Sequence, residues 1–78
     1  MKKKVSAYSL AYTLGNLRKD FIEDGYLYVG SFVEGLGSSR MIDRLQHNNG
    51  NTVDLMYGTN WPSIVVKKNG KVIKEVKL

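Results

Sequence analysis

The chain has 78 residues, 42% of them hydrophobic, and a formal net charge of +5 at pH 7. A chain of this length can form one domain with a modest core, and its hydrophobic content is too high for a disordered protein. It has no cysteine, which excludes disulfides and thiolate metal sites. A small domain without disulfides is typical of the cytoplasm, and we expect that location.

The charges are unevenly distributed along the chain. Residues 1–19 carry five cationic side chains and no acid, residues 20–60 carry six acids and two arginines, and residues 61–78 carry five lysines and one glutamate. If the two basic ends meet in space, they form one positive face. The stretch after the lysines at positions 2–4 is broken by polar residues, and no apolar run approaches the ~20 residues that cross a bilayer. We therefore expect neither a signal peptide nor membrane contact.

The first predicted element is a helix from about Ser6 to Asp24. Its apolar residues recur at i, i+4, i+7 and i+11 and form one stripe, which comprises Leu10, Leu14, Leu17 and Phe21. Ser6 suits the N-cap, and Gly25 suits the position that follows the last turn. Gly15 lies in the helix interior, where it indicates a close approach of another element or a slight break.

Residues 26–33 form the clearest predicted strand, because aromatic and aliphatic residues alternate there. The alternation predicts that Leu27, Val29 and Val33 face the helices. It predicts that the rings lie on the opposite face, namely Tyr26, Tyr28 and Phe32.

A second, short helix is expected after a loop at residues 34–37. Ser38 or Ser39 caps it, and it ends near Asn48. Its core positions are Met41, Ile42 and Leu45.

Three strands are expected in the remainder of the chain. The first runs from Thr52 to Tyr57, and residues 61–68 and 71–78 form a hairpin around Asn69-Gly70. A three-residue loop that pairs Val66 with Val72 segregates the side chains best. It gathers the apolar set on one face, namely Ile64, Val66, Val72, Val76 and Leu78. It sends lysines to the other face, namely Lys67, Lys71 and Lys77.

Together these elements predict a single α+β domain over residues 1–78. The order is α-β-α-β-β-β, with helices packed on one face of a small, mostly antiparallel sheet that ends in a β-hairpin. The first strand, the short helix and the second strand are long enough for a right-handed crossover.

Catalytic residues are scarce in this sequence. His47 is its one histidine, and no nucleophile elbow of the Gly-x-Ser-x-Gly type is present. One histidine cannot build a metal site, and Asp20, Glu23 and Asp24 are better explained as a solvated acidic helix end. We expect no enzymatic activity, no metal and no cofactor.

Residues 28–31, Tyr-Val-Gly-Ser, followed by Arg40, resemble the second motif of GIY-YIG nucleases. In that family a Tyr-Ile-Gly strand precedes a helix that carries an arginine. Here no Gly-Ile-Tyr strand precedes the motif, and no later helix supplies the metal-binding glutamate, since Glu75 lies in the last predicted strand. Because the chemistry needs the metal, the resemblance does not imply a nuclease.

Residues 25–29, Gly-Tyr-Leu-Tyr-Val, resemble the aromatic strand of RNA-recognition motifs, whose exposed rings stack on bases. The chain departs from that family because Asp24 replaces a basic residue and no strand–helix–strand precedes the motif. Tyrosines that share a face with the hairpin lysines would still form a surface for single strands. Alternatively, the rings pair across strands or cover a contact between two copies of the chain.

A glycine-bearing loop precedes the predicted short helix and is a candidate phosphate site. Backbone N–H groups and hydroxyls at a helix N-terminus can bind an anion. The residues of this loop are Gly35, Gly37, Ser38 and Ser39.

We expect a small, basic, non-catalytic protein that binds DNA or RNA as an accessory or regulatory factor. A lysine-rich sheet face and the arginine-bearing short helix would make the contacts, through Lys67, Lys68, Lys71, Lys77, Arg40, Arg44, Tyr26 and Tyr28. The alternative is a protein-binding module of the kind that phages and mobile elements encode to block a host or defence enzyme. Its interface residues would be Trp61, Tyr57 and Phe32.

Overall fold

The computed structural model describes residues 7–33, 40–58 and 61–78. They form one helix and a five-stranded antiparallel sheet in the order α-β-β-β-β-β, with 56% of the residues in strands and 27% in the helix. The strands lie in the sheet in chain order, so each pairs with its sequence neighbour. The elements are α1 (Ala7–Glu23), β1 (Tyr26–Val33), β2 (Arg40–His47), β3 (Thr52–Gly58), β4 (Ser63–Lys68) and β5 (Lys71–Lys77).

The predicted second helix is wrong, because its residues form β2. The order α-β-α-β-β-β and the right-handed crossover are therefore also wrong, since β1 and β2 pair directly and antiparallel. In β2 the side chains of Met41, Asp43 and Leu45 share one face of the sheet. The spacing of the apolar residues suggested a helix because a carboxylate, Asp43, occupies a core position of the strand and hides its alternation.

Helix α1 is confirmed and packs on one face of the sheet through its apolar stripe. Asp24 and Gly25 donate N–H bonds to carbonyls of the last turn, and Gly25, at φ +98°, ends the helix in the left-handed conformation that glycine tolerates. The helix runs unbroken through Gly15, around which a side chain would find open space. The predicted close approach or break at Gly15 is therefore wrong. The proposed cap, Ser6, lies outside the described residues.

The core lies between α1 and the three central strands. Leu14 and Leu17 of the helix are buried against apolar side chains of the sheet that are fully buried, which are Leu45, Val53, Leu55, Ile64 and Val66. Each such side chain contributes about 1.5–3 kcal/mol by leaving water. This burial fixes which face of the sheet the helix covers.

A β-bulge in β1 reverses part of the predicted alternation. The pairing with β2 shifts between Tyr28 and Gly30, so Val29 is an extra residue. As a result Tyr28 and Ser31 both lie on the helix side, whereas Phe32 lies on the other side. The prediction that Leu27 and Val29 face the helix is wrong, and both are exposed.

The terminal hairpin also differs from its predicted register. Asn69 and Gly70 have φ values of 51° and 83°, and Lys68 pairs with Lys71, so the loop has two residues rather than three. A register shift between Lys67 and Val66 then brings Ile64 opposite Val76, on the core side of the sheet. Val76 and Leu78 pack against the core as expected, but Val72 is exposed.

Candidate functional site

The sheet has one face that carries no described element, because α1 occupies the other. We call it the open face. Its side chains alternate with those of the core along the strands. They include Phe32, Arg40, Ile42, Arg44, Asp54, Met56, Val65, Lys67, Glu75 and Lys77, and Trp61 lies beside them. The exposed residues Leu27 and Val72 lie on the same face, opposite Gln46 and Lys67.

An apolar row crosses the open face from β1 to β4. Phe32 is directly opposite Ile42, Ile42 is opposite Met56, and Met56 is opposite Val65. Directly opposite side chains in antiparallel strands are close enough to pack, so the row is continuous. Met56 in its middle is only 6% exposed, whereas Phe32 at the sheet edge is 45% exposed. The row therefore offers a partner an apolar strip that is most accessible at β1.

Charged residues border one side of the apolar row, where Arg44, Asp54 and Lys67 lie. The Arg44 guanidinium donates to both carboxylate oxygens of Asp54, at 2.8 and 3.2 Å, and lies 5.4 Å from the centre of the Phe32 ring. The hydrogen bonds and charge of Asp54 raise the pKa of Arg44. Lys67 is opposite Asp54 on the next strand. The carboxylate thus neutralises part of the positive charge on this side.

The opposite side of the apolar row carries the cation–π pair of Arg40 and Trp61. The Arg40 guanidinium lies 3.6 Å from the centre of the Trp61 ring, within the range of a cation–π interaction. Next to it is a shallow groove lined by Trp61, Pro62, Ser63, Glu75 and Lys77. Among the described residues, the open face holds four cations, Arg40, Arg44, Lys67 and Lys77, against two carboxylates, Asp54 and Glu75.

Four of the predicted nucleic-acid contacts come together on the open face, and four do not. Arg40, Arg44, Lys67 and Lys77 share it. Lys68 pairs with Val53 and with Lys71, which places both lysines on the side of the core, at the end of the hairpin.

The two tyrosines of the predicted set also lie away from the open face. Tyr26 is buried, with its ring edge-to-face against Phe21 at 5.5 Å and His47 at 5.1 Å. Tyr28 precedes the bulge and lies on the helix side with Tyr26, opposite the core residue Leu45 of β2. The stacking surface of tyrosines and lysines therefore does not form.

The predicted protein-interface residues are similarly divided. Trp61 and Phe32 border the open face, whereas Tyr57 points to the helix side. The proposed phosphate loop, Gly35, Gly37, Ser38 and Ser39, lies outside the described residues. The helix expected to follow that loop is a strand.

A buried polar cluster on the helix side was not anticipated from the sequence. Asp43, 1% exposed, accepts hydrogen bonds from Ser31 Oγ at 2.7 Å and from the Tyr57 hydroxyl at 2.9 Å, and its other oxygen is 3.6 Å from Arg18 Nε. Tyr28 is hydrogen-bonded to Ser31. The signal that could have revealed the cluster is the strand period, which places Asp43 between the core positions Met41 and Leu45.

This cluster connects the helix to the sheet and is poorly suited to proton transfer at neutral pH. Burial, and then the bond to Asp43, raise the pKa of Tyr57 to about 12. His47, near the end of β2, accepts an N–H bond from Asn49 and packs on the ring of Tyr26. Within the described ranges, no three His, Asp or Glu side chains are grouped to hold a metal ion.

Membrane crossing finds no support in the described part of the chain, where no helix has the length and apolar character that a bilayer requires. Comparison with known proteins assigns no relative, since no protein-family model, no curated protein and no solved structure matches this chain.

Proposed function

We propose that the protein is a non-catalytic binding module that docks a protein partner on its open face. The observation that carries the proposal is the apolar row from Phe32 to Val65 with cations on both sides. Interfaces commonly combine an apolar centre with a polar rim, and tryptophan and arginine are frequent anchors. Such a module acts by occupying its partner, as the inhibitors of phages and mobile elements do.

The charges on the open face suggest the chemistry of the partner. Four cations against two carboxylates favour a partner surface whose apolar centre has an acidic border. A protein surface fits this arrangement better than a nucleic acid, because Ile42, Met56 and Val65 offer no ring for a base to stack on. Arg40 already covers one face of the Trp61 ring.

Site-specific photo-crosslinking in the producing cell tests the proposal. A benzophenone amino acid at position 32 should capture a discrete protein other than a second copy of this chain, whereas the same probe at position 22, an exposed apolar site of α1, should not. The captured protein, once purified, should bind Phe32→Ser about tenfold or more weakly than wild type, and Ile22→Ser like wild type. Equal capture at both positions, or equal binding by both variants, would overturn the proposal.

A second candidate function, nucleic-acid binding, is favoured by the terminal hairpin. Residues 61–78 carry five lysines and one glutamate, and lysines bind phosphates without reading sequence. Fluorescence anisotropy with single- and double-stranded DNA and RNA should then show binding that weakens steeply from low to physiological salt. Lys68→Gln and Lys71→Gln should weaken it, and Lys19→Gln on α1 should not. Absence of binding at low salt would exclude this function.

A further inference from the structure

The two strands at the edges of the sheet differ in charge. β1 forms one edge and β5 the other. Among the described residues no strand pairs with the outer side of β1, which leaves backbone N–H and C=O groups available there. An open edge of this kind is a template for another strand.

β1 lacks the features that usually prevent edge pairing. Its eight residues, Tyr-Leu-Tyr-Val-Gly-Ser-Phe-Val, include no charge and no proline. In contrast, β5 carries Lys71, Lys74 and Lys77. Because the chain has a net charge of +5, two copies repel each other least where their uncharged strands meet. The bulge at Val29 interrupts β1, but the segment from Gly30 to Val33 pairs regularly with β2.

We propose that a second copy of the chain pairs with β1 through this segment, antiparallel and across a two-fold axis. In this arrangement the two sheets join edge to edge with their open faces on the same side, so the two open faces form one continuous surface. Directly opposite residues must share a face, which allows Phe32 to lie opposite Phe32 of the second copy. The two apolar rows then join into one row in which the two Phe32 rings lie side by side, and the joined open faces stay uncovered. This inference does not rest on the proposed function.

The chain offers a closely matched pair of variants for the test. Val33 on β1 is 61% exposed and Val72 on β5 is 60% exposed, so a lysine at either position should leave the fold intact. By light scattering after gel filtration, wild type and Val72→Lys should have twice the 8.8 kDa mass of one chain. Val33→Lys should dimerise at least about tenfold more weakly, because a lysine at the edge opposes strand pairing. A wild type that stays monomeric at high concentration, or a dimer insensitive to Val33→Lys, overturns the proposal.

A separate experiment tests the pairing of Phe32 with Phe32 of the second copy. It also tests dimer formation through β1 if Val33→Lys fails to fold. The chain has no native cysteine, so Phe32→Cys introduces a single thiol. On mild oxidation it should form an intermolecular disulfide, since directly opposite side chains approach within bonding reach. Val72→Cys should remain uncrosslinked under the same oxidation, with both variants compared on a non-reducing denaturing gel. A failure of Phe32→Cys to crosslink, or equal crosslinking by Val72→Cys, overturns pairing at β1 in this register.

Discussion

Replacing Asp43 with alanine should be among the most damaging single changes to this protein. Asp43 is 1% exposed, accepts hydrogen bonds from Ser31 and Tyr57, and forms a 3.6 Å ion pair with the Arg18 Nε atom, which is buried and has no hydrogen-bond partner among the described residues. A hydrogen bond to a charged acceptor contributes about 1.5–3 kcal/mol, and Asp43→Ala removes two and leaves Arg18 without its counter-charge. Relief of the buried carboxylate's desolvation offsets part of this loss. We expect the free energy of unfolding to fall by about 3 kcal/mol.

Asp54 provides the matched control because it is the same residue type on the opposite face of the sheet. Its side chain is 21% exposed and its partner Arg44 is 43% exposed, so the ion pair is screened by water. Asp54→Ala should lower the free energy of unfolding by at most about 1 kcal/mol. Urea unfolding followed by circular dichroism measures both values. A double-mutant cycle of Asp43→Ala and Tyr57→Phe should give a coupling free energy of about 1 kcal/mol. Equal losses for Asp43→Ala and Asp54→Ala would refute this account of the cluster.

Three further predictions concern stability. Gly25→Ala should lower the free energy of unfolding by about 1–2 kcal/mol, because φ is +98° and the new Cβ would lie 2.7 Å from His47 Nε2. Gly15→Ala, in open space on the helix, should raise the free energy of unfolding by up to about 1 kcal/mol. Thermal melts in which Gly25→Ala is the more stable variant would contradict this. The neutral Tyr57 phenol contributes stability that is complete below its ordinary pKa of 10.0 and is lost as the pH rises to about 12. Because solvent screens this half-buried ring, the loss should be about 1 kcal/mol, seen as the difference in alkaline unfolding between wild type and Tyr57→Phe. Leu45→Ala should cost about 2–5 kcal/mol in urea unfolding by leaving a cavity, and a loss below 1 kcal/mol would show that this site is not tightly packed.

The sequence by itself determined the elements whose signals are local. The stripe from Leu10 to Phe21 has the period of a helix, and Gly25 can adopt the positive φ that ends it. Alternation identified β1, and Asn69-Gly70 located the hairpin turn. These features depend on residues within a few positions of each other, so periodicity and turn chemistry were sufficient to predict them.

Only the tertiary structure decided which face each strand presents. Met41, Ile42 and Leu45 fit a helix as well as a strand, and the choice of strand depends on partners for Asp43 that come from α1, β1 and β3. The register shifts between Tyr28 and Gly30 and between Val66 and Lys67 change which face the side chains beyond them occupy. The candidate site follows the same rule, since the register of long-range strand pairs alone aligns Phe32, Ile42, Met56 and Val65 in one row. A one-residue slip turns every side chain to the opposite face, and no local pattern contains the information that prevents it.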